Sequence, residues 1–103
     1  MQTLIVLFRL KPGTDAATYE TWARSTDLPV VRKLASVAGF ELFRTGSLLG
    51  SDARPPYDYV EMIEIREMTG FGADVATETM RRVAAEFRQF ADQPVFMLTE
   101  RIS

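Results

Sequence analysis

The side chains that could move a proton in this 103-residue chain are carboxylates and tyrosines, because the sequence contains neither histidine nor cysteine. An unperturbed carboxylate titrates at about pH 4 and an unperturbed tyrosine at about pH 10, so acid–base chemistry near neutrality needs a pKa that the fold has shifted. The same absences remove disulfides, thiolate nucleophiles and the commonest metal ligands. We therefore expect a protein that uses no metal and no other cofactor.

Asp27 is the most prominent of these groups, because Asp27 and Pro29 interrupt a segment with a helical pattern. An aspartate just before Leu28 and Pro29 is a good N-cap for a second helical piece. A carboxylate at a helix N-terminus is also stabilised in its charged form, which would lower its pKa and suit a base or an electrostatic anchor. Capping and catalysis can coexist, so both interpretations stay open.

Tyr59 and Glu61 alternate onto one face of a strand-like segment. Glu61 is expected either to reach solvent at a strand end or to lie in a cavity, where burial would raise its pKa into a useful range. Arg44, on the preceding strand, is expected to form an ion pair with Glu61. Its alternative role is to hold a carbonyl or carboxylate of a substrate.

Three further residues are candidates for contact with a ligand. Tyr19 and Trp22 lie on the predicted inner face of the first helix, where aromatic residues usually belong to the core but can also wall a pocket. Arg9 interrupts an apolar face late in the first strand, and arginines at strand ends commonly extend to solvent.

Charge and hydropathy exclude several classes of partner. Twelve basic against fourteen acidic residues give a net charge of -2, without a basic block that could follow a phosphate backbone. We therefore expect no nucleic-acid partner. The apolar run 4–8 ends at Arg9 and has no basic leader, which predicts neither a signal peptide nor a membrane span. A cytoplasmic location is the resulting expectation.

The elements that must position these side chains follow from hydrophobic periodicity and from proline and glycine. Helical patterns begin at Ala16, with a break at Asp27 and Pro29 and an end at Gly39, and recur with apolar residues at 76, 80, 83, 87 and 90. The segment 69–72 has the composition of a turn. Predicted strands cover 2–10, 40–49, 57–66 and 95–102, and residues 92–94 stop the second helix.

This order of elements predicts a single domain, 1–103, with an α+β ferredoxin-like βαββαβ fold. Its four-stranded antiparallel sheet would carry two helices on one face. The runs 4–8 and 95–98 place apolar side chains on both faces of that sheet. Because two helices cover only one face, a second copy of the same sheet is the simplest cover for the other. The prediction is a homodimer with its sheets packed face to face.

Segments 8–13, 26–34 and 39–44 resemble the dimeric α/β barrel superfamily. Segments 26–29, 57–61, 84–87 and 92–96 carry a closer resemblance, across the whole chain, to the RedY-like (HapK-like) family of that superfamily, which is encoded in prodigiosin-type tripyrrole pathways. EthD-like relatives tend to have histidine two residues before the helix-breaking proline, where this chain has Asp27. That difference argues against a histidine-based mechanism.

The resemblance implies a cofactor-independent biosynthetic protein that binds a small aromatic, heteroaromatic or other hydrophobic ligand and promotes cyclisation or condensation. In that reading Asp27, Tyr59 or Glu61 moves a proton, Arg44 steadies negative charge, and Tyr19, Trp22 and Arg9 contact the substrate. Two alternatives remain, a non-catalytic carrier of a small molecule and a cofactor-less monooxygenase.

Overall fold

Four strands form one antiparallel sheet with the spatial order β2-β3-β1-β4 in the computed structural model, which describes residues 1–103. The strands are β1 (Gln2–Leu10), β2 (Val37–Arg44), β3 (Tyr59–Ile65) and β4 (Ala91–Glu100). Strand β1 pairs with both β3 and β4, and β2 pairs with β3 at one edge. The ferredoxin-like arrangement predicted from the order of elements is confirmed.

The helical segments pack against one face of this sheet. They are α1 (Ala16–Trp22), a π-helical segment (Ala23–Asp27), α2 (Leu28–Arg32), α3 (Met68–Val75) and α4 (Glu78–Phe90). The periodic apolar pattern of the last helix is confirmed in α4, which buries Met80, Val83 and Phe87. A Thr77 hydroxyl caps this helix by accepting from the Met80 N–H.

The prediction of a turn at 69–72 is wrong, because these residues lie in α3. The Glu67 carboxylate accepts a hydrogen bond from the Gly70 N–H at 2.6 Å and caps this short helix. Two predicted stops also differ from the structure. Gly39 lies inside β2, and residues 92–94 lie inside β4, which begins immediately after α4. Gln93, with φ of 46°, lies between Asp92 and Val95, where the pairing of β4 with β1 shifts its register.

The core contains an aromatic cluster around Phe8, which is fully buried. Its ring stacks on Tyr59 at 5.6 Å and meets Tyr19 and Phe87 edge-on at 5.5 and 4.9 Å. A second apolar cluster lies towards α2 and comprises Val31, Val37, Phe40, Ile63, Ile65 and Met80. Together the two clusters join the helical segments to the sheet, and α3 contributes the partly buried Phe71 and Val75 to the second.

The opposite face of the sheet has no covering element. By strand register, Met62 and Met97 flank Ile5 on that face, and Phe43 lies opposite Val60. Met62 and Met97 are each 39% exposed and Phe43 is 47% exposed. An apolar surface of this kind usually marks a contact with another molecule.

Candidate acid–base site between helix and sheet

Two carboxyl side chains, those of Asp27 and Glu61, lie in the protein interior, where only 6% and 5% of their surfaces are exposed. They line one cavity of about 150 Å³, in which 10 of the 13 lining residues are hydrophobic. The other lining residues come from β1, α2, β2, β3, α4 and β4: Leu4, Val6, Val31, Phe40, Ile63, Met80, Val83, Ala84, Phe87, Arg88 and Phe96. Of the two positions that the sequence left open for Glu61, a solvent-exposed strand end and a cavity, the structure has the cavity.

The π-helical segment explains why Asp27 points inward. The Leu28 N–H donates to the Ala23 carbonyl five residues earlier, and Pro29 has no N–H to donate to the α-helical acceptor. In an α-helix, residues four apart drift by about 40° around the axis. The wider π turn reduces this drift, so Ala23, Asp27 and Val31 remain on one buried line.

The predicted helix break and N-cap at Asp27 are wrong. Asp27 has helical dihedral angles, φ −61° and ψ −56°, and its side chain makes no capping hydrogen bond. The chain runs from α1 through the π-helical segment into α2 without leaving the helical region. The carboxyl group is therefore free of the capping role.

Burial reverses the expected pKa of Asp27. Removal from water raises its pKa from 3.8 to about 7, whereas a capping position would have lowered it. Burial and then the charge of Asp27 raise the pKa of Glu61 well above its ordinary value. Because the two groups interact, protons leave the pair in two steps, and the pair retains a proton at neutral pH. An acid and a base then stand in one apolar cavity, which is a common arrangement in acid–base catalysis.

A second polar cluster is centred on Glu20, which sequence analysis did not single out. Arg44 donates through Nε and Nη2 to the two Glu20 carboxylate oxygens at 2.7 and 2.6 Å, and the Tyr59 hydroxyl donates to Oε2 at 2.7 Å. Hydrogen bonds from Arg44 and then Tyr59 lower the pKa of Glu20 to about 2. Glu20 is therefore a fixed anion rather than a proton donor.

The predicted pairing of Arg44 with Glu61 is wrong. Strand register places Leu42, not Arg44, opposite Glu61, and places Arg44 opposite Tyr59. The helix brings Glu20 above this position. A usable sequence signal existed, because Glu20 precedes Asp27 by seven residues and so occupies nearly the same helix face.

Tyr59 belongs to the Glu20 cluster rather than to the carboxyl cavity. With Arg44 and Glu20 it lines a separate cavity of about 220 Å³. Burial, together with the hydrogen bond to Glu20, raises the pKa of Tyr59 to about 12. Its proposed part in proton transfer stays a prediction, and so does contact of Arg44 with a substrate.

Tyr19, Trp22 and Arg9 do not line the carboxyl cavity. Tyr19 is fully buried in the aromatic cluster, and the Trp22 indole donates from Nε1 to Glu86 at 2.7 Å. Arg9 donates from Nε to the Pro56 carbonyl at 2.6 Å and so holds the β2–β3 loop. Their role in binding a ligand stays a prediction.

Neither metal-ligand clusters nor membrane spans are found in the structure. No three side chains of Asp, Glu, His or Cys converge to hold a metal ion. None of the helices combines the length and apolar character needed to cross a lipid bilayer.

The family model described as REDY-like protein HapK matches residues 2–102. No curated protein matches the chain. Among solved structures, the crystal structure of HapK from Hahella chejuensis has 30% sequence identity and a TM-score of 0.77, and the match covers 100% of this chain and 95% of HapK.

Two more distant structures show the same fold. A dimeric ferredoxin-like protein of unknown function from Thermobifida fusca has 19% identity and a TM-score of 0.72, with 97% of this chain and 90% of that chain covered. SnoaB, a cofactor-independent oxygenase from Streptomyces nogalater, has 15% identity and a TM-score of 0.75, with 99% and 93% covered.

Proposed function

Because the chain belongs to the REDY-like HapK family, we propose that it is a small cofactor-independent biosynthetic protein that binds an aromatic or heteroaromatic intermediate and promotes its cyclisation or condensation. The observation that carries the proposal is the pair Asp27 and Glu61 in one apolar cavity. Neighbours such as SnoaB, a cofactor-independent oxygenase, are consistent with biosynthetic chemistry on this fold.

The pair supplies both halves of an acid–base step. Asp27, with a pKa of about 7, is partly ionised at neutral pH and can accept a proton from the ligand. Glu61, whose pKa burial raises well above its ordinary value, holds a proton that it can give to an oxygen or nitrogen of the same ligand. The cavity holds the reacting groups close together, and such positioning lowers a barrier without covalent catalysis.

The dimensions of the cavity limit how much of the ligand enters. Pockets that hold a whole drug-sized ligand have volumes of about 300–1,000 Å³, and this cavity has about 150 Å³. We therefore expect one aromatic ring to fill it. Phe96 lines the cavity and is 58% exposed, so we expect the rest of a larger ligand to lie outside beside Phe96.

Ligand binding is tested by narrowing the cavity. Ala84 lines it, whereas Ala85 on the same helix is exposed. Saturation-transfer NMR with one-ring and two-ring aromatics, pyrroles first because of the RedY-like resemblance, should detect binding to wild type and to Ala85→Leu. Binding should be lost in Ala84→Leu. Equal binding to both variants would place the ligand elsewhere.

Catalysis is tested by removing each ionisable oxygen. Condensation or cyclisation of the bound aromatics, followed by absorbance and mass spectrometry, should slow by about 10²–10⁴-fold in Asp27→Asn and in Glu61→Gln. Full activity of Asp27→Asn would refute the mechanism. Tight binding without turnover in wild type would indicate a carrier, and oxygen consumption with a phenolic ligand would indicate an oxygenase.

The same proposal includes a homodimer whose uncovered sheet faces pack together. Met62, Met97 and Phe43 form the apolar centre of that face, and burial of such a patch would stabilise association. Sedimentation velocity should give a dimer for wild type at micromolar concentration and a monomer for Met62→Glu. A monomeric wild type would refute this part of the proposal.

A further inference from the structure

Three buried side-chain atoms have no hydrogen-bond partner in the protein: the Tyr19 hydroxyl, Ser36 Oγ and Oε2 of Glu61. Two of them, the Tyr19 hydroxyl and Glu61 Oε2, belong to neighbouring parts of the fold. A buried polar group without a partner is costly, so such groups are uncommon and often mark function. A tyrosine hydroxyl is a donor and a carboxylate oxygen is an acceptor, which makes the two atoms chemically complementary.

The fold aligns these atoms along one helix and one strand. Tyr19, Ala23 and Asp27 follow one buried line of the helix at intervals of four residues, while Tyr59 and Glu61 follow one face of β3. The Tyr19 ring lies 4.8 Å from the Tyr59 ring. Ala23, between Tyr19 and Asp27, is fully buried in the same core cluster as Tyr19 and Tyr59. The Tyr19 and Asp27 side chains therefore both lie on the side of β3 that carries Glu61.

We propose that Tyr19 is a positioning residue for the carboxyl pair, whose hydroxyl donates a hydrogen bond to the Glu61 carboxylate once Glu61 has released its proton. This extends the proposed function, on whose acid–base pair it rests. The O–H bond of Glu61 breaks, its proton goes to an oxygen or nitrogen of the ligand, and its electron pair stays on the carboxylate. Tyr19 keeps its own proton throughout.

The surroundings of Glu61 leave Tyr19 as the neutral donor of that region. Tyr59 already donates to Glu20, and Asp27 has no donor when ionised. Asp27 and Arg88 line the cavity together with Glu61, and the charge of Glu61 acts on Tyr19. Tyr59 on β3, Glu20 on α1 and Arg44 on β2 form the neighbouring polar cluster. Arg44 is engaged by Glu20, and Arg88 lies at the exposed surface of α4. Burial of Tyr19, and then the charges of Glu61 and Asp27, raise the pKa of its hydroxyl. The hydroxyl therefore keeps its proton and remains a donor.

The test is a carboxyl titration that requires no ligand. Side-chain ¹³C NMR of glutamate and aspartate carboxyls follows Glu61 and Asp27 from pH 4 to 10 in wild type, Tyr19→Phe and Tyr59→Phe. Tyr19→Phe should raise the apparent pKa of Glu61 by about one unit, a tenfold change in proton affinity. Tyr59→Phe, the matched control, removes a hydroxyl already committed to Glu20 and should leave the Glu61 titration unchanged.

If the Glu61 pKa in Tyr19→Phe lies within about 0.3 unit of the wild-type value, the proposal is overturned, because a shift of about one unit is expected. An equal shift in Tyr59→Phe would overturn it too. If Tyr19→Phe does not fold, 3-fluorotyrosine at position 19, a stronger donor, should lower the Glu61 pKa instead, and no change would again overturn the proposal. The result is independent of turnover: loss of activity in Asp27→Asn tests the proposed function, and the Glu61 titration tests Tyr19.

Discussion

Replacement of Asp27 by asparagine should make the protein less sensitive to rising pH. Burial raises the pKa of Asp27 from 3.8 to about 7, so the folded state binds its proton more tightly than the unfolded state. The stability from this difference is fully present below about pH 4 and is lost as the pH rises through about 7. A rise of about 3 units at about 1.4 kcal/mol per unit corresponds to about 4 kcal/mol in total.

Between pH 5 and 8, about 3 kcal/mol of this amount is lost from wild type, because part of the loss has already occurred below pH 5. Asparagine has nearly the same shape and no proton to lose. The variant should therefore match wild type at pH 5 within about 1 kcal/mol and exceed it in stability at pH 8. Ionisation of Glu61 also lowers the stability of wild type as the pH rises. Asp27→Asn removes the Asp27 charge that helps to raise the Glu61 pKa, so this second loss is smaller in the variant.

The assay is urea denaturation followed by circular dichroism at half-unit steps from pH 5 to 8.5, at one protein concentration because association would change the apparent stability. Asp52→Asn, in the exposed β2–β3 loop, is the matched control and should follow the wild-type curve. Parallel curves for wild type and Asp27→Asn would refute the reasoning, since they would mean that Asp27 has no raised pKa in the folded protein.

Three other substitutions have clear expected outcomes. Glu20→Gln should lose less stability than wild type as the pH falls from about 4.5 towards 2, because hydrogen bonds from Arg44 and Tyr59 lower the Glu20 pKa to about 2. Urea denaturation at low pH measures this difference, and the same pH dependence in both proteins would contradict it. Phe8→Ala should cost about 3–5 kcal/mol in chemical denaturation, because it leaves a cavity in the aromatic cluster, whereas Phe43→Ala on the uncovered face should cost less. Trp22→Phe should cost about 1 kcal/mol through loss of the hydrogen bond to Glu86, seen as a lower thermal midpoint, and an unchanged midpoint would show that the bond adds nothing.

The sheet and its main helices were predictable because their evidence is periodic. Alternation along β1 and β3 and the regular apolar spacing of α4 each extend over many residues. The order of these elements then leaves few topologies. Helix α3 was missed because Gly70 and Gly72 have low helix propensity and give this segment the composition of a turn. Its N-cap, Glu67, was not recognised as a helix start.

The candidate site was predictable only in part. Strand alternation places Glu61 on the same face as Tyr59, but it does not decide between a cavity and a solvent-exposed strand end. The partner of Arg44 depends on strand register and on which helix face lies above it, and neither is visible in one sequence. The π turn has no sequence signature beyond Pro29, so Asp27 resembled a cap. In both cases the missing information was three-dimensional rather than chemical.

The π turn makes the position of the Asp27 carboxyl depend on helix geometry as well as on residue type. If the same residues formed an ordinary α-helix, everything beyond the segment Ala23–Asp27 would be turned by about 100°. The carboxyl group would then be displaced from the sheet, although no side chain of the cavity had been substituted. In this fold one wide turn in a helix decides whether two carboxyl groups share a cavity.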